Sequence, residues 1–351
     1  MKEQNIGFFP YVDVKNKNQK NANIYGYNMQ KILAKHGNIV PYYHIKEHRN
    51  NIWKMDYIFL NWYEMNLTFA DKCWLLMAKL CKRRIVWTFH NRIRHDSVDV
   101  NEDKASIRFM IKIADYILVL SKSSIPYIDE ALGKKRSVRR KIVYVPHVNY
   151  CENYLPKKGA EDRISNSNEF IFLYFGQIRP YKNLEVLIEA YKQAAAEKSK
   201  LVIAGKPYDA TYAKKIKKLC GDNEKIELDF RFIDDEEVYD YMSRADVVVL
   251  PYDKTSSMNS GAMIAAFTCK KPVIVSDIAM ARDYKNSSYV YRYQYKTKQQ
   301  HVEKLAEEMK RAYAKGKEKN RILGLQAYEE VKRDNSAEVV GKCLEKIWER
   351  K

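Results

Sequence analysis

Apolar positions along this chain fall into two alternating patterns. Short apolar runs at 6–10, 56–60, 84–89, 116–120 and 141–145 predict buried strands. Between them, 24–35, 70–82 and 104–114 repeat with helical period. In the last of these, Ile107, Met110, Ile111 and Ala114 fall at i, i+3, i+4 and i+7. The second half repeats the alternation, with strands at 170–175, 201–204, 226–232, 246–250 and 273–276. Helices follow over 300–351, with Val339, Leu344, Ile347 and Trp348 as a late apolar stripe. Alternating strand and helix signals predict an α/β fold of parallel sheets covered on both faces, with ligands beyond the carboxyl ends of the strands. The stretch 157–169 is polar and has no apolar pattern. It reads as a linker between two domains, for which 351 residues suffice.

Two segments carry the candidate chemistry. In PYDKTSSMNSGAMIAAFTCKKPVIVSD (251–277) an apolar run ends at Pro251, and Ser260-Gly261 then opens a helix. Free N–H groups at such a start, with the positive end of the helix dipole, suit a phosphate. In FIFLYFGQIRPYKNLEVLIEAYKQA (170–194) a strand ends at Gly176. A basic loop with Arg179 and Lys182 follows, then a helix with Leu184, Leu187, Ile188 and Tyr191 on one face.

Together these segments resemble the GT-B glycosyltransferases, in particular the retaining group-4 type of the glycosyl transferases group 1. There the corresponding pattern is strand, Gly-Arg-Leu, Lys, then a helix with "LI.A", and later a helix ending in "GKPV". The counterparts here are Gly176-Gln177-Ile178, Lys182, Leu187-Ile188-Glu189-Ala190 and 266–273. The resemblance implies two Rossmann-like domains facing across a cleft. Their expected extents are 1–160 on the acceptor side, a linker at 161–169, a donor domain at 170–325, and helices at 326–351 crossing back to the first domain.

It also implies a nucleotide-sugar donor (UDP-, GDP- or dTDP-linked), a glycan or lipid-linked glycan acceptor, and retention of anomeric configuration without a metal. Lys182 takes the place of the diphosphate-binding lysine. Gly176, Gln177, Arg179, Ile233, Ser260, Gly261 and Ala262 complete the expected donor site, with Ile233 offering backbone to the nucleobase. Two departures stand out. Gln177 replaces the usual Arg and cannot neutralise a phosphate, so Arg179 is expected to substitute for it. Ser257 and Ala265 stand where the family has two glutamates, which leaves ribose recognition unassigned. His90, at a strand end, matches a histidine that contacts the donor sugar and is the candidate catalytic residue. Trp62, Tyr63 and Glu64, at a strand end, and His147 are candidates for the acceptor side.

The net charge of +19 is uneven: 1–160 holds 28 Lys and Arg against 14 Asp and Glu, the rest 35 against 30. The basic excess concentrates at 82–84 and 134–141, which suits an anionic membrane surface. It also raises a nucleic-acid-binding alternative, although no RRM, KH or helix-turn-helix context accompanies it and no nucleic acid is expected. Another GT-B enzyme such as a sugar epimerase is the remaining alternative. The six cysteines form no metal-ligand spacing, so reduced thiols, no metal and no cofactor are expected. No apolar run reaches membrane-spanning length, and the first residues lack a signal-peptide pattern. A cytoplasmic protein is therefore expected, and the family resemblance together with the charge implies a peripheral enzyme of surface polysaccharide or lipopolysaccharide synthesis on the inner face of a membrane.

Overall fold

The computed structural model describes residues 4–13, 23–45, 47, 50–94, 99–133, 136–154, 168–194 and 197–349. Contacts divide the chain into two compact units. The first comprises Met1–Val148, Ser256–Asn259 and Asn335–Lys351, the second Asn149–Thr255 and Ser260–Asp334. The junctions therefore lie at 148/149 and 334/335, where the sequence suggested 160 and 325. The reason is local. Asn149 Nδ2 donates to the Val331 carbonyl and Tyr150 N to Thr268 Oγ1, which ties 149 and 150 into the second unit. Of the expected linker, 161–167 lies outside the described residues.

In chain order the first unit contains β1 (Gln4–Phe9), α1 (Ile24–Leu33), β2 (Gly37–Pro41), β3 (Tyr57–Asn61), α2 (Phe69–Leu80), β4 (Arg84–Phe89), α3 (Val100–Ile113), β5 (Tyr116–Val119), α4 (Ile125–Ala131) and β6 (Ile142–Tyr144). The second contains β7 (Phe170–Phe175), α5 (Leu184–Ala194), β8 (Ser199–Ala204), α6 (Ala210–Cys220), β9 (Ile226–Asp229), α7 (Asp235–Arg244), β10 (Val247–Leu250), α8 (Gly261–Thr268), β11 (Val273–Ser276), α9 (Ala279–Asp283), β12 (Val290–Tyr293) and α10 (Lys298–Asp334). Gly316, at φ 76°, kinks α10. The last helix, α11 (Ala337–Glu349), returns to the first unit.

The first sheet has the order β2-β1-β3-β4-β5-β6 and the second β12-β11-β10-β7-β8-β9, every pair parallel. Strand β2 is absent from the sequence reading. It is an edge strand, partly exposed, ending in Pro41, so neither an apolar run nor an alternation marks it. The expected strand at 226–232 stops at Asp229, three residues early.

Helix starts follow local capping chemistry. Thr68 and Asp71 form a capping box on α2, Asp99 caps α3, Asp209 caps α6, and Asp234 with Glu237 caps α7. Helix α8 is apolar all round, and Met263 to Thr268 are buried. In the first unit Ile6, Phe8, Phe59, Val86 and Leu118 pack against Met29 and Ile32 of α1. Val340, Leu344 and Ile347 of α11 join the same core. Leu344→Ala therefore costs about 2–5 kcal/mol although it lies near the chain end.

Candidate functional site

In the second sheet, crossovers part between β7 and β10: one leads toward β8 and β9, the other toward β11 and β12. Loops leaving such a pair diverge, and the crevice they open is where doubly wound folds take ligands. The loops here are 176–183 and 251–260, and they are tied together. Asn183, left-handed at φ 53°, donates Nδ2 to the Pro251 carbonyl (3.0 Å), and Asp253 N donates to the Tyr181 carbonyl (2.9 Å).

Lys182 Nζ then sits 3.7 Å from the centre of the Tyr252 ring and 4.9 Å from that of Tyr181. Ser260 Oγ donates to the Tyr252 hydroxyl (3.0 Å) and accepts the Met263 N–H (3.1 Å) as N-cap of α8. One chain of contacts, Lys182 to Tyr252 to Ser260, thus sets the lysine beside the amino end of α8. There helix geometry leaves the N–H groups of Gly261 and Ala262 without partners. Among the described residues no carboxylate pairs with Lys182. Burial, and then the neighbouring Arg179 charge, pull its ammonium down to about 7. An anion at this point would receive N–H donors and a cation together.

Two glycines shape the rest of this mouth. A Cβ on Gly176 (φ 130°) would meet nothing within 4 Å, so its backbone faces open space. A Cβ on Gly205 (φ 148°) would stand 1.9 Å from the Gly176 carbonyl oxygen, so only glycine lets the β8 loop close on the β7 loop. Ile178 N donates to the Lys206 carbonyl and Tyr208 N to the Ile178 carbonyl, which fixes that closure. Arg179 lies 4.9 Å over the Tyr208 ring and donates Nε to Gln177 Oε1 (3.0 Å). Gln177 thus orients the arginine expected to act in its stead.

The first sheet parts between β1 and β3. Asn61 spans that pair by donating Nδ2 to the Phe9 carbonyl (3.0 Å). Its Oδ1 therefore faces His90 and accepts from Nε2–H (3.2 Å). This network assigns the ring proton to Nε2 and leaves Nδ1 as an acceptor. Burial, helped by His147, holds His90 well below the ordinary histidine range, so it is neutral at pH 7. His147 is buried too, pulled down to about 4, with Nδ1 donating to the Val148 carbonyl (2.9 Å). The Tyr25 ring contacts both imidazoles, at 5.3 and 4.8 Å between centroids.

Trp62 stacks on His90 at 3.9 Å and holds a left-handed backbone, φ 54°. For a bulky residue that conformation costs about 1–3 kcal/mol, and such strain clusters at functional sites. Asn259 Nδ2 donates to the His90 carbonyl (3.1 Å), and Asn91 bridges to Ser257. Ser257 Oγ and Asn259 Oδ1 are buried without partners.

Other sequence candidates fall elsewhere. Tyr63 is no acceptor platform: it is fully buried, its hydroxyl donates to Asp71 (2.7 Å), and its ring stacks on His44. The Ile233 side chain is buried, which leaves only its backbone for a ligand, and Asp234 is committed to capping α7. Ala265 is buried inside α8. Of the basic run 134–141, Lys134 and Lys135 lie outside the described residues. Arg139 pairs with Asp129 (2.7 Å), and Lys141 Nζ donates to the Lys112 and Ala114 carbonyls at the end of α3. Arg139 and Lys141 of that run are therefore engaged within the fold.

Sequence reasoning missed Tyr252, Asn183 and Gly205, which build the mouth of the second sheet. Glu64, a sequence candidate beside Trp62 and Tyr63, accepts at Oε2 from Trp87 Nε1 (2.8 Å), while its Oε1 is buried and unpartnered. Glu64 lines a cavity of about 10 Å³ with Asn91 and Arg94, room for about one water. Burial pushes its carboxyl up to about 7. A Gly after a strand signals Gly205; nothing in the sequence signals the others.

Two Rossmann-like parallel sheets, one with a cation and a helix amino end at its switch point, define a GT-B protein. Residues 158–330 match the family model of the glycosyl transferases group 1, and that part of the chain belongs to the family. Anabaena HepE, solved with UDP and glucose, superposes with a TM-score of 0.73 at 10% identity, covering 99% of this chain and all of that one. The sucrose-phosphate synthase of Thermosynechococcus elongatus gives 0.66 at 17% identity over 96% of this chain and 79% of that one. A GDP-mannose:glycolipid 4-beta-D-mannosyltransferase of Xanthomonas campestris pv. campestris is 28% identical over 102 residues. That match spans 29% of this chain and 29% of the relative.

Proposed function

We propose that this protein moves a sugar from a nucleotide-sugar donor to a hydroxyl of a glycan or lipid-linked glycan. The observation that carries the reading is the chain from Lys182 through Tyr252 to Ser260. The diphosphate lies between the Lys182 ammonium and the N–H groups of Ser260, Gly261 and Ala262. Arg179, held by Gln177, adds charge in place of a metal, and Gly176 lets the nucleotide approach backbone. The backbone of Ile233 meets the nucleobase. The UDP in the HepE structure and the GDP-mannose and glycolipid in the Xanthomonas relative's name support the donor class and a lipid-linked acceptor.

On the family resemblance the transfer retains configuration. The C1–O bond to the leaving phosphate breaks as a C1–O bond to the acceptor forms on the same face, and the phosphate takes the acceptor's proton. His90, neutral and with Nδ1 open, accepts a hydrogen bond from a sugar hydroxyl and neither gives nor takes the reacting proton. Trp62 and His147 line the acceptor side. The protein works on the cytoplasmic face of a membrane, in surface polysaccharide or lipopolysaccharide synthesis. Among the described residues no helix is long and apolar enough to cross that membrane.

Thermal shift with UDP, GDP, dTDP and single-stranded RNA tests the reading, since a ligand of the folded state raises Tm. Stabilisation by a nucleoside diphosphate and none by RNA is expected. The reverse pattern moves the basic surface to nucleic acid and overturns it. An anomeric NMR spectrum of the product showing inversion relative to the donor sinks the retaining part alone.

A further inference from the structure

Helix α2 exposes an apolar stripe instead of a polar face. Phe69 is 82% exposed, Leu76 48%, Met77 43% and Leu80 84%, and Cys73 is exposed between them. At 3.6 residues per turn these five fall within an arc of about 100°, a stripe about 17 Å long. The opposite side holds the buried residues Asp71, Leu75 and Ala78. The stripe is thus the outer face of a helix already seated on its sheet.

Its surroundings are basic. The sole acidic residue of α2, Asp71, is buried and held by Thr68, Tyr63 and Ile45. Lys72 and Lys79 border the stripe on one side. Lys82 follows the helix end, with Arg83 and Arg84 next in sequence. The Arg84 N–H donates to the Asp56 carbonyl, so this end of α2 lies at the amino ends of β3 and β4, the same end of the sheet as the turn Ile52–Lys54. That turn adds Trp53, 64% exposed, and Lys54. Lys79 and Arg84 reach Asp115, and Arg83 reaches Asp56. Lys54, Lys72 and Lys82 have no acidic partner among the described residues.

An apolar face with unpaired cations beside it, and an exposed aromatic at the same end of the sheet, matches a lipid surface with anionic headgroups. We propose that the outer face of α2, with Trp53, docks this protein onto an anionic lipid bilayer. The apolar side chains enter the interface, and Lys54, Lys72 and Lys82 meet headgroup phosphates. This places the membrane contact on α2 rather than on the run at 134–141. It rests on the proposed lipid-linked acceptor for its purpose only, since binding is read without turnover.

The experiment is sedimentation of the full chain with vesicles of phosphatidylcholine mixed with phosphatidylglycerol, and with phosphatidylcholine alone. Wild type should bind the mixed vesicles and lose binding as salt rises. The pair Phe69→Ser with Leu80→Ser, and the pair Lys72→Gln with Lys82→Gln, should each weaken binding at least tenfold with Tm unchanged. Because the substituted side chains are exposed, folding is spared, and Leu76→Ser with Met77→Ser serves as a second apolar test. Undiminished binding by the serine pairs, or none by wild type, overturns the proposal. So does a wild-type dimer in light scattering that Leu80→Ser dissociates, because the stripe is then a contact between copies. UDP and GDP affinity measured in the same variants separates the two readings: intact affinity with lost sedimentation bears on docking, and lost affinity bears on the donor site.

Discussion

At the mouth of β7 and β10 the groups offered to a ligand are backbone N–H groups and one lysine. At the mouth of β1 and β3 they are rings and amides: His90, Trp62, His147 and Asn259. The first arrangement is set by chain geometry, through two glycines, a left-handed Asn183 and a helix start. The second depends on side chains from separate elements packing in one place. A backbone site tolerates little change in its path but much in its side chains, whereas a side-chain site behaves the other way round. The contrast predicts where substitutions will hurt binding and where they will hurt turnover.

The largest effect should come from Gly205→Ala. Its Cβ would overlap the Gly176 carbonyl, so the β7 loop must move. Loss of measurable UDP and GDP binding is expected, with a clear drop in Tm. A variant that binds normally would show that the loop closure plays no part in the donor site.

Glu64→Gln tests the other mouth through stability. The folded carboxyl titrates near 7 against an ordinary value of 4.5. A raised carboxylate means that the folded state holds its proton longer, so wild-type stability falls as pH rises from 4.5 to 7. That loss amounts to about 3 kcal/mol, and the glutamine variant should lack it. Denaturant melts across this range check the point, and parallel curves for the two proteins would contradict it.

His90→Ala should lower kcat by about tenfold to a hundredfold while nucleotide affinity stays within about twofold, a loss of about 1.4–2.7 kcal/mol at the sugar. Equal losses for nucleotide and nucleotide-sugar binding would move His90 away from the sugar. The smallest effect is Ser260→Ala, which removes the N-cap and its link to Tyr252. About 1 kcal/mol of stability and a modest loss of affinity are expected in calorimetry and melting. A loss of affinity as large as that from removing Lys182 would make the hydroxyl itself a ligand group.

The same contrast explains what could be read from residues alone. Most of the strand and helix order, Lys182 and the Ser260-Gly261 helix start were legible, because they rest on apolar period and on short local motifs. Tyr252 was not, because it touches Lys182 and Ser260 only after two loops converge from β7 and β10. Tyr63 misled because an aromatic at a strand end looks the same whether its hydroxyl meets a ligand or Asp71. The tautomer of His90 depends on Asn61, 29 positions away, and its neutral state on burial in the fold beside His147. The stripe on α2 read simply as a helix, because apolar period alone does not say which face is covered.

The most direct test is calorimetry of UDP and GDP against wild type and Lys182→Ala over a pH series. In the free protein the Lys182 ammonium titrates near 7, and a bound diphosphate should raise it. Wild-type affinity is therefore expected to hold below pH 7 and to weaken above it, with proton uptake on binding. Removing the charge-assisted contact should cost about 1.5–3 kcal/mol at pH 6.5 with Tm nearly unchanged, and should abolish the pH dependence. Equal affinities for the two proteins at every pH would contradict the account.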